Sequence, residues 1–213
     1  MNKVLKINNL LLVAISGLLL FSCSPSAKEK RVMSMGKYNE ALNVYSNSVF
    51  FSTLNNDTIN KVINLLDEAI KIDPKYSFSY CKKASMQSKL GNNEEGIQTL
   101  TLAAEKLGEN NTDLLIQKAV LYERMNLPEE LNLNYEKLIT LFDEAIKINP
   151  NDFYAVSNRA VVVALYKGID AGLQILKDIN YDKLQKEEQV QLRYMINVFE
   201  KNDRQLILDK LDL

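Results

Sequence analysis

Histidine and tryptophan are absent from all 213 residues, and cysteine (two), proline (four) and glycine (seven) are scarce. Without histidine the commonest general base, the commonest zinc ligand and every Ser-His or Cys-His relay are missing. No glycine-rich phosphate loop, metal-spaced cysteine cluster or nucleophile elbow can be picked out. A formal charge of −1 offers no global attraction for nucleic acid. Nowhere do apolar and polar residues alternate between turn signals in the manner of a half-buried strand. What remains is an all-α protein, expected to be non-catalytic, with no cofactor, no metal and no nucleic-acid partner.

A single apolar run stands out, and it is near the start. Lys3 and Lys6 precede apolar residues from Leu10 to Phe21, followed by Ser22 and Cys23. About a dozen apolar residues rising 1.5 Å each cover roughly 18 Å, well short of a hydrocarbon core of about 30 Å, so the run is not read as a membrane-spanning helix. Its basic start, apolar centre and small residue before the cysteine resemble a bacterial lipoprotein precursor. That resemblance implies a signal peptide over 1–22, cleavage before Cys23 and lipid attachment at Cys23, with 23–35 as a tether. Several acyl chains, at about 0.8 kcal/mol per buried methylene, would hold the domain stably on a membrane. It also implies a cell-envelope location, and Ser24 after the cysteine favours the outer membrane, facing the periplasm. The remaining 191 residues carry 24 basic and 27 acidic side chains. With Cys23 lipidated, Cys81 has no cysteine partner, so stability rests on packing.

Internal repetition is legible by eye. Asn64-Leu-Leu-Asp-Glu-Ala-Ile-Lys-Ile-Asp-Pro-Lys75 recurs 76 residues later as Thr140-Leu-Phe-Asp-Glu-Ala-Ile-Lys-Ile-Asn-Pro-Asn151. The same register maps Ala84 onto Ala160 and 96–100 onto 172–176. An ordinary helical bundle with an accidental echo would not carry the small-residue and turn positions along as well. Val62, Leu65, Leu66, Ala69, Ile70 and Ile72 follow helical steps, and Pro74 ends the helix. Gly91-Asn92-Asn93 closes a second helix, with Glu94 and Glu95 opening a third. Met125-Asn-Leu-Pro128 marks another stop and start.

These units resemble the tetratricopeptide repeat, a 34-residue helix-turn-helix. The match is fullest over Ser77–Asn110, with Tyr80, Ala84, Gly91, Glu95-Gly96, Leu100 and Ala103 in the family's places. The next unit matches through Ala119, Tyr122, Glu130-Leu131, Tyr135 and Leu138, then carries seven extra residues that lengthen its second helix by about two turns. A first unit is expected with helices over Tyr38–Thr53 and Thr58–Asp73, and a fourth over Phe153–Ile179. The predicted fold is an α-solenoid of about four such antiparallel pairs over 36–180, with capping helices over 181–213 near 186–201 and 203–211.

The resemblance implies a concave groove, lined by the first helix of each pair, that binds a peptide or helix of another envelope protein. Its groove places fall on Phe78, Lys82, Ser85 and Lys89, on Ile116, Gln117 and Val120, and on Tyr154, Asn158 and Val161. Aromatic and aliphatic anchors beside amide and ammonium groups suit a peptide with apolar side chains and exposed backbone. Repeats of this family that clamp the acidic tail of chaperones use Lys, Asn and Arg at set places. Here the first two of those hold Cys81 and Ser85, so a chaperone-tail receptor is not expected. Similar layouts occur in lipoproteins of outer-membrane barrel assembly, in pilotins and in adaptors of peptidoglycan hydrolases. A small-ligand or glycan receptor of a nutrient-uptake system is the alternative. Asp67-Glu68 and Asp143-Glu144 read as solvated faces and Cys81 as a packing residue. Asp57-Thr58-Ile59 resembles an O-glycosylation acceptor on an exposed loop.

Overall fold

A computed structural model describes residues 25–211, with side chains through Leu208. The expected signal peptide over 1–22 and the lipidation residue Cys23 lie outside the described residues. Within them the fold is all-helical: ten α-helices, one short 3₁₀ turn and no strand.

The first helix, α1 (Ala27–Phe50), starts nine residues before the stretch expected to open the array, so most of the expected 23–35 tether is helical. A capping box starts it: the Ser26 amide donates to Glu29 Oε2 at 2.7 Å and the Glu29 amide to Ser26 Oγ at 3.2 Å. Ser34, Ala41 and Ser48 recur every seven residues as its buried stripe, and their small size lets α1 lie close on α2 (Asn56–Ile72). Ser34 Oγ donates to Ala69 O at 2.9 Å, and Arg31 pairs with Asp73, so the two helices run antiparallel.

Short connections then repeat the arrangement: α3 (Ser77–Lys89) with α4 (Asn93–Leu107), α5 (Thr112–Arg124) with α6 (Pro128–Ile148), and α7 (Phe153–Lys167) with α8 (Ile169–Lys177). Every helix packs on the next, and α3 also packs on α5, which stacks first helix on first helix. Each start has a local cause. Asn55, Asn111 and Asp152 side chains accept the amides of Thr58, Leu114 and Ala155, and Pro128 opens α6 where its missing N–H costs nothing. At 21 residues against 15 for α4, α6 carries the expected extra length. Thr58, expected to open α2 and, as a glycosylation acceptor, to be exposed, sits in its first turn, half-buried, its hydroxyl donating to Asn55 Oδ1 at 3.1 Å.

The core divides by unit. Ala41, Val62, Leu66 and Met86 join α1, α2 and α3; Cys81, Ala84, Leu100 and Leu121 join α3, α4 and α5; a larger cluster runs from Leu115 through Phe142, Ala160 and Leu176 to the end. Such a succession of neighbour-to-neighbour cores is the architecture of a helical repeat array. After a 3₁₀ turn at Tyr181–Lys183, α9 (Lys186–Glu200) covers α8 with Leu192, Val198 and Phe199, while Val190 and Tyr194 of the same helix face outward. The last helix, α10 (Arg204–Leu211), contacts α9 but also α5 and α7.

Candidate functional site: the face of the first helices

The ten expected groove residues divide into an exposed rim and a buried floor. Phe78 (39% exposed) and Tyr154 (54%) stand open at the N-terminal ends of α3 and α7. Asp113, in the first turn of α5, fastens that rim: it accepts from Ser77 Oγ at 2.9 Å and from Tyr154 Oη at 3.1 Å, joining the starts of three first helices. Although much of the side chain is open, partial desolvation of the hydroxyl, with the Asp113 carboxylate adding to it, pushes the Tyr154 phenol up to about 12, so the tyrosine keeps its proton and donates. Alongside, Phe78 packs on Tyr76 with ring centres 5.6 Å apart, Tyr76 meets Tyr38 edge-on at 5.5 Å, and the Arg31 guanidinium lies 5.1 Å from the Tyr76 ring. Sequence pattern missed Tyr38, Tyr76 and Arg31 as parts of this rim, because two of them lie on the under-read α1 and the third on a connection.

The floor is less accessible than expected. Lys82, Ser85, Ile116, Gln117, Val120 and Val161 are all buried, Asn158 is half-buried with Nδ2 donating to Tyr154 O at 2.9 Å, and only Lys89 joins Phe78 and Tyr154 as exposed. Two neighbours account for much of this. On one side the Lys82 ammonium lies 4.7 Å from the centre of the Tyr45 ring of α1, with Lys89 5.9 Å from the same ring. On the other, Ile207 and Leu208 of α10 join Ile116, Val161 and Leu165 in one apolar cluster. The terminal helix, expected only as a cap, therefore lies over part of the face expected to be open.

Elsewhere, a cleft of about 440 Å³ opens where α6 hands over to α7, lined by Asp143, Pro150, Phe153, Arg159, Asp178 and Lys183 among others. Its arginine already pairs with Asp143 at 2.5 Å. Burial drives the Cys81 thiol far above its usual range, assisted by Asp113, which suits packing and not nucleophilic chemistry. Among the described residues no group of acidic or cysteine side chains could hold a metal, and no helix is long and apolar enough to cross a membrane.

No known protein family matches the chain, and no curated protein does. Among solved structures, a tetratricopeptide repeat protein from Parabacteroides merdae ATCC 43184 is similar over 83% of this chain, at 16% identity and a TM-score of 0.37. The match spans 66% of that protein, just under two thirds of its length.

Proposed function

We propose that the chain is a helical-repeat scaffold that binds another protein or peptide of the cell envelope along the face of its first helices, and that it is held at the membrane by lipid on Cys23. The observation that carries the binding reading is the fastened rim: Phe78 and Tyr154 are exposed aromatic groups on separate helices, held in fixed relation by the Asp113 bonds. Rigid aromatic groups lose little freedom on contact and serve as anchors for a partner. The membrane reading is supported by the sequence alone, by the basic start, apolar run, Ser22 and Cys23. An outer-membrane position facing the periplasm follows from Ser24 by the same resemblance.

Two measurements test the two parts separately. A photo-crosslinker at Phe78 or Tyr154, in intact envelopes, is expected to capture one defined protein, whereas the same group at exposed Leu102 of α4 captures none. Identical capture patterns at both sites would overturn the binding reading. Labelled palmitate is expected on the wild-type chain and not on Cys23→Ala; label on both would overturn the anchor.

A further inference from the structure

Eight residues make up α10, and three features show how they are held. Arg204 donates from both terminal guanidinium nitrogens to Glu123 of α5, Nη1 to Oε1 at 2.5 Å and Nη2 to Oε2 at 2.9 Å, and Nη2 also donates to the Leu165 carbonyl at 3.3 Å. Leu165 lies in the last turn of α7, where carbonyls lack a helical partner, so this bond satisfies a group the helix leaves open. Ile207 (2% exposed) and Leu208 (7%) join the apolar cluster that holds Ile116 of α5 and Val161 and Leu165 of α7, and Ile207 also lines a cleft of about 200 Å³ with Val161 of α7 and Tyr194, Val198 and Phe199 of α9. From Arg204 beside Leu165 to Ile207 beside Val161, α10 runs antiparallel to α7.

The furrow between α5 and α7 thus offers one carboxylate, one open carbonyl and an apolar floor, a set that recognises an amphipathic helix with an arginine one turn ahead of an Ile-Leu pair. An isolated helix of eight residues does not persist in water, so α10 owes its form to the furrow. Its described hold is small, with Arg204 on Glu123, Ile207 and Leu208 buried and Leu206 half-buried, against the 20–30 residues per side (about 800 Å² per partner) of a standard protein interface. The array does not need it for closure, because α9 already covers α8 with Leu192, Val198 and Phe199. The short connection at 201–203, with Asn202 at φ 53 and Asp203 accepting the Leu206 amide at 3.1 Å, adds a high local concentration to those contacts.

On the scaffold reading above, we infer that the furrow between α5 and α7 is the binding site for the partner, that α10 is its resident occupant, and that the partner presents an amphipathic helix of the α10 pattern that enters as α10 leaves. The chain is then self-blocked until a helix of matching chemistry competes. A fluorescent peptide with the sequence of residues 200–211 tests this against the full chain by anisotropy. Wild type is expected to ignore the peptide at micromolar concentrations, because the tethered helix outcompetes it. Arg204→Ala and, independently, Ile207→Glu weaken the resident helix and are expected to bind the wild-type peptide at least about tenfold more tightly than wild type does. Adding Glu123→Ala to Arg204→Ala is expected to abolish that gain. Circular dichroism and hydrogen exchange should show α1–α8 unchanged in the variants and α10 less protected. The inference is overturned if both folded variants ignore the peptide, if binding is indifferent to Glu123, or if light scattering shows that the variants capture a second chain as a dimer instead. A crosslinked envelope partner taken up equally by wild type and Arg204→Ala would also sink it while leaving the scaffold reading intact; no crosslinked partner with either form would overturn the scaffold reading and this inference with it.

Discussion

Residues 64–100 and 140–176 are one pattern written twice, and the structure gives the two copies matching surroundings. Leu66 and Phe142 are buried, as are Ala84 and Ala160, and Leu100 and Leu176. The pair Asp67–Lys83, at 2.7 Å, recurs as Asp143–Arg159 at 2.5 Å. Asp73 and Asn149 end their helices at φ −133, ψ 92 and φ −134, ψ 93, each accepting from the backbone two residues on. The glycines agree as well: a Cβ on Gly96 would meet Ala84 O at 3.1 Å and one on Gly172 would meet Ala160 O at 2.4 Å. The copies part at their far ends. Where α4 has 15 residues α8 has nine, and a three-residue turn between α3 and α4 shrinks to Gly168 alone, at φ 110 where a side chain would be strained. An inner unit is stacked on both sides, whereas the outer one is cut short and covered by α9; position in the array, and not the repeated motif, sets helix length.

Truncating matching core residues should have the largest effect. Leu66→Ala is expected to cost about 2–5 kcal/mol and Phe142→Ala about 3–5 kcal/mol in chemical denaturation. Because they belong to different clusters, the double variant should add within about 0.5 kcal/mol; strong coupling would mean one shared core and break the comparison. The glycines sharpen it. Gly172→Ala would press a Cβ onto backbone and onto Ala164 Cβ at 2.5 Å, while at Gly96 the tightest contact is the movable Leu121 Cδ1 at 2.8 Å. Against a helix-propensity gain of about 1 kcal/mol at each site, Gly172→Ala should still lose about 1–3 kcal/mol and Gly96→Ala should stay within about 1 kcal/mol of wild type. Equal losses in urea melts would erase the distinction.

The smallest effect separates the two helix ends by pH. Burial raises the Asp73 carboxyl, but hydrogen bonds from Arg31 and the Lys75 amide outweigh it and hold the group below its ordinary value. A folded value below the unfolded one contributes stability that is complete above about pH 5 and fades as pH falls through the folded value. Asp73→Asn should therefore melt lower than wild type at pH 6, and the gap should narrow as pH falls below the ordinary carboxylate range. Asn149 does not titrate, so Asn149→Ala should show a gap independent of pH. A constant gap for Asp73→Asn would remove the ion pair from the account.

The helices from α2 to α8 were legible because their signals are local: Pro74 beyond a helix end and its repeat at Pro150, Gly91-Asn92-Asn93 and Pro128 at turns, apolar residues at helical spacing; the caps at Asn55, Asn111 and Asp152 carry the same kind of local signal but were not read. The small places Gly96 and Gly172 were legible for the same reason, since duplication exposed them. The start of α1 was not read, although Ser26-x-x-Glu29 is a start signal, because Lys28, Glu29, Lys30 and Arg31 present no apolar stripe. Of the residues proposed to form a binding face, Phe78, Lys89 and Tyr154 are exposed, while Ile116 and Val161 are buried in one apolar cluster with Ile207 and Leu208 of α10. Arg204 and Glu123 are 81 residues apart, and no local period announces such a meeting.

Asp113 gives the rim a mechanical character. Since Ser77 and Tyr154 are tied to the same carboxylate from opposite sides, neither flanking helix can swing outward without surrendering a bond at the middle one. Opening this edge therefore costs a bond at Asp113 whichever flanking helix moves.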